Sequence, residues 1–189
     1  MVKKITILAL EPFLSKPLEK MHLAHISRAI NEPHPTVRQW LNQFEKEGII
    51  RKEHKGKLTL HYLNLESPLA LDYIVTAEKL NTIKKCEKFP VLAEIVSFMQ
   101  QNLTENSKAL IFGSAALSFA SANDIDVLII GKDRADKIKS YIQRLGKDPH
   151  IVNVKSLSKV SKTLKIEIIK KHLLVKGSED FVRWMLWQQ

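Results

Sequence analysis

Asp124 and Asp126 are the residues whose spacing most directly implies chemistry. They open the apolar run Asp124-Ile-Asp-Val-Leu-Ile-Ile130, which reads as a strand. Side chains two apart on a strand project to one face, so the two carboxylates point the same way. Like charges held side by side repel unless a cation lies between them, and hard oxygen donors suit Mg²⁺ shared with phosphate groups. Gly113 and Ser114 precede the pair by a nine-residue spacer and end another short apolar strand, Lys108-Ala-Leu-Ile-Phe112. A glycine at that point lets the backbone come close to a ligand. Ser114 falls at a predicted helix start, where N–H groups and the dipole attract phosphate.

Gly-Ser, nine residues, then Asp-Ile-Asp ahead of an apolar strand resembles the signature of the DNA polymerase beta-type nucleotidyltransferase superfamily, in particular its minimal members. The resemblance covers about residues 107–155, and the closing stretch 173–182 is similar to the tails of minimal members. It implies that Gly113 and Ser114 hold nucleotide phosphates and that Asp124 and Asp126 are catalytic ligands of Mg²⁺, in a one- or two-metal site. The implied substrate is a nucleoside triphosphate. The implied reaction transfers a nucleoside monophosphate to a hydroxyl and releases pyrophosphate. Two features depart from the family pattern. Active members usually carry a third carboxylate on a later strand, yet His150-Ile-Val-Asn-Val154 offers Asn153 near that place, with Glu167 as a later substitute. The arginine that often follows Gly-Ser is also missing, leaving Lys132 or Arg134 to take its part.

The elements that position these residues divide into three stretches: 1–65, a helical linker and packing helix over 66–104, and 105–189. Beyond residue 105 apolar strands and helices alternate, predicting an α+β or α/β domain with a mixed sheet flanked by helices. Strands are expected at 108–112, 124–130 and 150–154, and helices at 133–145, 158–170 and 178–187. Residues 172–175 read as extended or helical. The helix over about 90–103 is expected to pack on that sheet.

Residues 4–14 read as a core helix rather than a leader, because Glu11 and Pro12 interrupt the short apolar run. A second helix is expected over 20–31 and a third from Pro35 to about Glu47, with Val37, Trp40, Leu41 and Phe44 inward. Two strands joined by His54-Lys-Gly-Lys57 follow. Helix, turn, helix and basic hairpin resemble a winged helix-turn-helix from Ile5 to Leu63. That resemblance implies a recognition helix presenting Thr36, Arg38, Gln39 and Asn42 to base edges, with Lys52, Lys55 and Lys57 of the wing on phosphates. A protein-docking or dimerisation role for the same module stays open.

The formal charge of +10 favours polyanionic partners. Residues 1–65 hold 11 basic and 6 acidic residues, and residues 66–189 hold 19 and 14, so each part is +5. The single cysteine, Cys86, excludes an internal disulfide and fits a reducing cytoplasm. No apolar stretch reaches the roughly 18 residues of a membrane span, so no membrane partner is expected. His22 and His25 read as sharing a helix face, Cys86 sits in a basic helix that could lower its pKa, and Trp184 and Trp187 read as core or interface residues.

Two functions follow as expectations. The first is a Mg²⁺-dependent nucleotidyltransferase acting on an RNA or protein hydroxyl, aided by a nucleic-acid-binding winged helix. The second is a DNA-binding transcriptional regulator, or an antitoxin-like protein with a toxin partner, whose nucleotidyltransferase-like domain is catalytically weak. Duplex DNA or RNA is the expected nucleic acid, and a homodimer is open to either reading.

Overall fold

The computed structural model describes residues 6–132 and 135–187. By its internal contacts the chain divides into two compact units, one holding the described residues up to Glu78 with those from Val182 on, the other Lys79–Phe181. The division falls inside two helices, so neither end of the second unit is a loop. No helix among the described residues is long and apolar enough to cross a membrane.

The first unit opens with a 3₁₀ turn at Thr6–Leu10 and the short helix α1 (Glu11–Leu14). Met21–His22 is a two-residue strand, β1, rather than the start of a helix. It pairs with Leu60 and His61 of the later hairpin, and the side chain of His22 caps α2 (Leu23–Ile30) by accepting from the Ala24 N–H at 3.2 Å. Local cap chemistry together with a cross-strand partner therefore overrides the helical pattern of residues 21–30. Asn31 ends α2 in the left-handed conformation, and α3 (His34–Lys46) starts at a proline-bearing first turn. Val37, Leu41 and Phe44 are buried, whereas Trp40, expected inward, is half-buried.

β2 (Ile50–Lys55) and β3 (Leu58–Leu63) form the hairpin, with Gly56 at φ +60° in its two-residue turn. The sheet order β1-β3-β2 with three preceding helical elements is consistent with a winged helix-turn-helix.

α4 (Pro68–Lys88) leaves this unit. Its Tyr73 stacks edge-on against Phe44 and donates a hydrogen bond to Glu47 at 2.6 Å. Burial first, then the Glu47 carboxylate, pushes the phenol from 10.0 up to about 12. A raised folded-state pKa means the neutral phenol is favoured on folding. The stability it contributes is complete below the ordinary tyrosine pKa and is lost as the pH climbs from about 10 to about 12. Tyr73→Phe is expected to cost about 1 kcal/mol at neutral pH. Urea unfolding across that window should show a shallower decline in the variant than in the native chain.

In the second unit α5 (Pro90–Asn102) precedes a four-stranded sheet of β4 (Lys108–Phe112), β5 (Asp124–Ile130), β6 (Asp148–Val154) and β7 (His172–Lys176). The sheet order is β6-β5-β4-β7, with β4 antiparallel to both neighbours and β5 parallel to β6. It is the mixed sheet the sequence implies. Residues 172–175 take the extended alternative because they pair with the free edge of β4. α6 (Gly113–Leu117) joins β4 to β5, α7 (Ala135–Arg144) joins β5 to β6, and α8 (Lys162–Lys170) joins β6 to β7. α9 (Ser178–Leu186) follows β7.

One face of this sheet, with Ala109, Ile111, Ile125, Val127, Ile129, Leu173 and Val175, packs with Leu92, Ile95, Val96 and Met99 of α5 and Ile138 and Ile142 of α7. Phe98 and Tyr141 stack at the edge of that layer with centroids 3.8 Å apart. α7 thus lies on this face while the chain moves from β5 outward to β6. α8 returns in the opposite direction, from β6 across to the parallel strand β7, and the usual right-handed crossover would set it on the other face. Ile168 agrees with that placement, being fully buried yet outside the first-face cluster.

Candidate active site

The second face of the sheet carries the aspartates. Strand alternation places Asp124, Asp126, Leu128 and Ile130 together, opposite the buried Ile125, Val127 and Ile129. Asp124 is exposed, and the Asp126 side chain is 28% exposed, so both reach solvent from the end of an otherwise buried strand. Phe112 is the register partner of Asp126, and Gly113 follows it at φ +72°. A Cβ built on Gly113 would sit well inside van der Waals contact of Asp126 Oδ2 and 3.4 Å from Cγ. The absence of that atom is what lets the carboxylate lie over the turn.

Gly113 N–H donates to the carbonyl of Lys171 at 3.2 Å, tying the turn to the residue that leads into β7. Ser114 is exposed on the first turn of α6. Behind it, Lys85 donates to the carbonyl of Ala116. The expected spacer therefore consists of the rest of a short helix, a 3₁₀ turn at Phe119–Ser121 and three further residues, Ser118, Ala122 and Asn123, folded so that Gly113 and Asp126 touch.

A second i, i+2 pair lies beside the first. β6 runs parallel to β5 with Asp148 opposite Asp124 and His150 opposite Asp126. His150 Nδ1 is 3.5 Å from Asp126 Oδ1, and His150 Nε2 is 4.0 Å from Asp148 Oδ2. Asp148-Pro-His150 repeats the spacing of Asp124-Ile-Asp126 in the sequence, but only the register shows that the two pairs share a face. Asn153, expected near the third acid, stands three residues beyond His150 and hence on the opposite face, level with Ile129. Odd spacing along a strand is the physical reason it is displaced. Glu167 is exposed on α8. Lys132 is exposed after β5, and Arg134 lies outside the described residues.

Mg²⁺ is the ion whose ligand chemistry bears on this donor set. Two solvent-reaching carboxylates on one face fit an ion that keeps most of its ligands as water and substrate phosphate. Among the described residues no group of three or more His, Cys, Asp and Glu side chains is placed to hold an ion without such help.

In the first unit Arg38, Gln39 and Asn42 are exposed on α3, and Thr36 is half-buried at its start. The hairpin's charges are unequal. Lys52 is paired with Glu45 at 2.9 Å, Arg51 with Glu66 at 2.5 Å, and Lys20 with Glu53. Lys52, expected on phosphate, is thus already neutralised by a neighbour. Lys55 and Lys57 at the tip are exposed and make no ion pair among the described residues.

His22 and His25 do not share a helix face, since His22 belongs to β1 and caps the helix that holds His25. Burial pushes the Cys86 thiol up, opposite to the lowering its basic helix suggests. Trp184 is buried, while Trp187 is partly exposed and donates its indole N–H to the Leu65 carbonyl at 2.9 Å.

Residues 92–180 match the family model described as a nucleotidyltransferase domain. The match lies wholly within the second unit. No curated protein matches the chain. A solved structure of TrmBL2, described as an archaeal chromatin protein showing a novel mode of DNA binding, is 15% identical, covering 86% of this chain and 68% of that one with a TM-score of 0.31. A likeness that low bears on neither the fold nor the function of this chain.

Proposed function

We propose that the chain is a Mg²⁺-dependent nucleotidyltransferase that moves a nucleoside monophosphate from a triphosphate to a hydroxyl of RNA or protein. The observation that supports it most is the fit between Gly113 and Asp126, a glycine turn open enough for a carboxylate to lie over it, inside the region matched by the family model. Asp124 and Asp126 would hold the cation on the face where the triphosphate meets the Gly113 turn. Mg²⁺ bound there supplies charge stabilisation for the attacking and leaving oxygens of an in-line displacement. Ser114 offers its hydroxyl beside the phosphates, while Gly113, whose own N–H is held by the Lys171 carbonyl, lets the backbone come close to them. Asp148 and His150 hold the flank of Asp126 and restrict its carboxylate to the face shared with Asp124. The test is transfer from labelled triphosphates to RNA and protein acceptors with Mg²⁺. A native chain that labels nothing, or a double Asp124→Asn/Asp126→Asn chain that labels equally well, would reject the reading.

A second reading is a cytoplasmic DNA-binding regulator or antitoxin-like protein. Its supporting observation is the exposed row Arg38, Gln39 and Asn42 on α3, together with Asn153 facing away from the aspartates. If α3 lies in a major groove, Arg38→Ala weakens duplex binding and relaxes its sequence preference, by about 1–3 kcal/mol at the contacted base pair. Lys55→Ala/Lys57→Ala lowers affinity for all duplexes alike and reduces the salt slope. Duplex binding indifferent to both changes rules this reading out.

A further inference from the structure

The positive charge of the second half of the chain is concentrated in one segment. Residues 155–171 carry six lysines (Lys155, Lys159, Lys162, Lys165, Lys170 and Lys171) and a single acid, Glu167. The rest of residues 66–189 carries 13 basic and 13 acidic residues, so this segment accounts for the whole excess of +5. Composition alone shows an even spread over two halves, whereas position along the chain resolves half of the formal charge into 17 residues.

The fold makes that segment a path. β6 ends at Val154, level with Ile130 at the far end of β5 from the aspartates. α8 then leads back from that end and brings the Lys171 carbonyl to the Gly113 N–H. His172 is the register partner of Phe112, which is itself paired with Asp126, and its ring donates to the Ile168 carbonyl at 2.7 Å. The C-terminal end of α8 is thereby fixed beside the Gly113 turn. Along α8 the buried Ile168 faces the sheet, while Lys162, Ile166 and Lys170 fall on one exposed stripe at i, i+4 and i+8. Lys159 and Lys155 extend it backwards. Among the described residues no carboxylate pairs with Lys155, Lys159, Lys162, Lys170 or Lys171. Lys162 and Lys170 are about 12 Å apart along the helix axis. That distance corresponds to roughly three to four nucleotides of a stacked strand at about 3.4 Å each.

We infer that this stripe binds a single-stranded polynucleotide and leads its terminal hydroxyl to the aspartates. The polynucleotide is then the acceptor, an assignment that rests on the nucleotidyltransferase reading. A repeating polyanion suits lysines spread along a path of known direction, and exposed Ile166, 54% accessible, offers an apolar surface for a base between charged neighbours.

The experiment measures anisotropy of a labelled single-stranded RNA 20-mer with the full chain over a range of salt concentrations, without nucleotide. Lys159→Ala/Lys162→Ala/Lys170→Ala is expected to weaken binding at least tenfold and to lower the log–log salt slope by about 2, at roughly 0.7 per lost phosphate contact. The matching triple arginine variant should bind like the native chain, and Lys137→Ala/Lys139→Ala, exposed on α7 at the first face of the sheet, should leave single-strand binding unchanged. An unaltered thermal transition in the triple alanine variant separates lost contacts from lost folding. Equal binding by native and triple alanine chains overturns the inference. So does capture by phosphatidylserine vesicles or an acidic polypeptide in place of RNA. Lysine-dependent RNA binding by a native chain that transfers no nucleotide would uphold the stripe as a binding surface while refuting the reaction.

Discussion

Asp126→Asn abolishes nucleotidyl transfer while leaving the chain folded, and this is the largest functional effect expected of a single substitution. The amide keeps the shape of the carboxylate and removes its charge. It can no longer offset the ion that neutralises the triphosphate, so the site loses a principal stabiliser of developing charge. Losses on the order of 10³-fold in kcat accompany removal of such a group. Stability should move the other way. Asp126 stands on the same face as Asp124, and removing one of two neighbouring like charges relieves their repulsion. Loss of activity with an unchanged or slightly raised thermal transition is therefore the expected signature. A fall in both together would show instead that the carboxylate holds the turn, and a fall in neither would remove Asp126 from the chemistry. Asp124→Asn is the natural companion, and Asp148→Asn reports on the flank held by the adjacent strand, where Asp148 lies opposite Asp124 and its carboxylate 4.0 Å from His150.

Much of this arrangement is legible before any coordinates, for reasons particular to each element. β4 and β5 are short and largely apolar, β5 is rich in Ile and Val, and each is bounded by a glycine at one end. Their buried faces leave the sequence little freedom of register. Asp124 and Asp126 project together because any strand would make them do so. α3 is legible from its proline start and the spacing of Val37, Leu41 and Phe44. Other features depend on partners distant in sequence. Met21–His22 becomes a strand because Leu60 and His61 lie beside it, and two residues are too few to show a period. Residues 173–175 are apolar without a break, so helix and strand predict the same composition until the edge of β4 decides. His150 illustrates the same point at the site. Its spacing from Asp148 is visible, yet its place beside Asp126 depends on a parallel register set by α7 and the turn after it. Reading that strand by distance from the aspartates favours Asn153, which strand parity then turns away. Charge follows the same logic, since equal halves conceal one segment until the crossover of α8 gives it a direction.

Gly113→Ala should produce the second large effect, and comparison with Gly56→Ala isolates its cause. Both glycines lie in the left-handed region, Gly113 at φ +72° and Gly56 at φ +60°. An L-residue in that conformation costs roughly 1–2 kcal/mol wherever it occurs. A methyl group on Gly56 meets nothing within 4 Å, so that variant carries the backbone cost alone. On Gly113 the methyl group enters the space of the Asp126 carboxylate, which is the movable end of a side chain and can yield. Yielding keeps the chain folded but takes the carboxylate away from Asp124, and a displacement of about 1 Å can cost about 10²-fold in rate. The two variants are thus expected to lose similar stability in urea unfolding, while only Gly113→Ala loses transfer. Removing the carboxylate should also remove the conflict. In an Asp126→Ala background the Gly113 substitution should cost no more than Gly56→Ala does, since only the backbone term remains. A Gly113→Ala chain with native transfer rates would mean that the contact between turn and carboxylate is incidental, and the site would have to be sought elsewhere on the sheet.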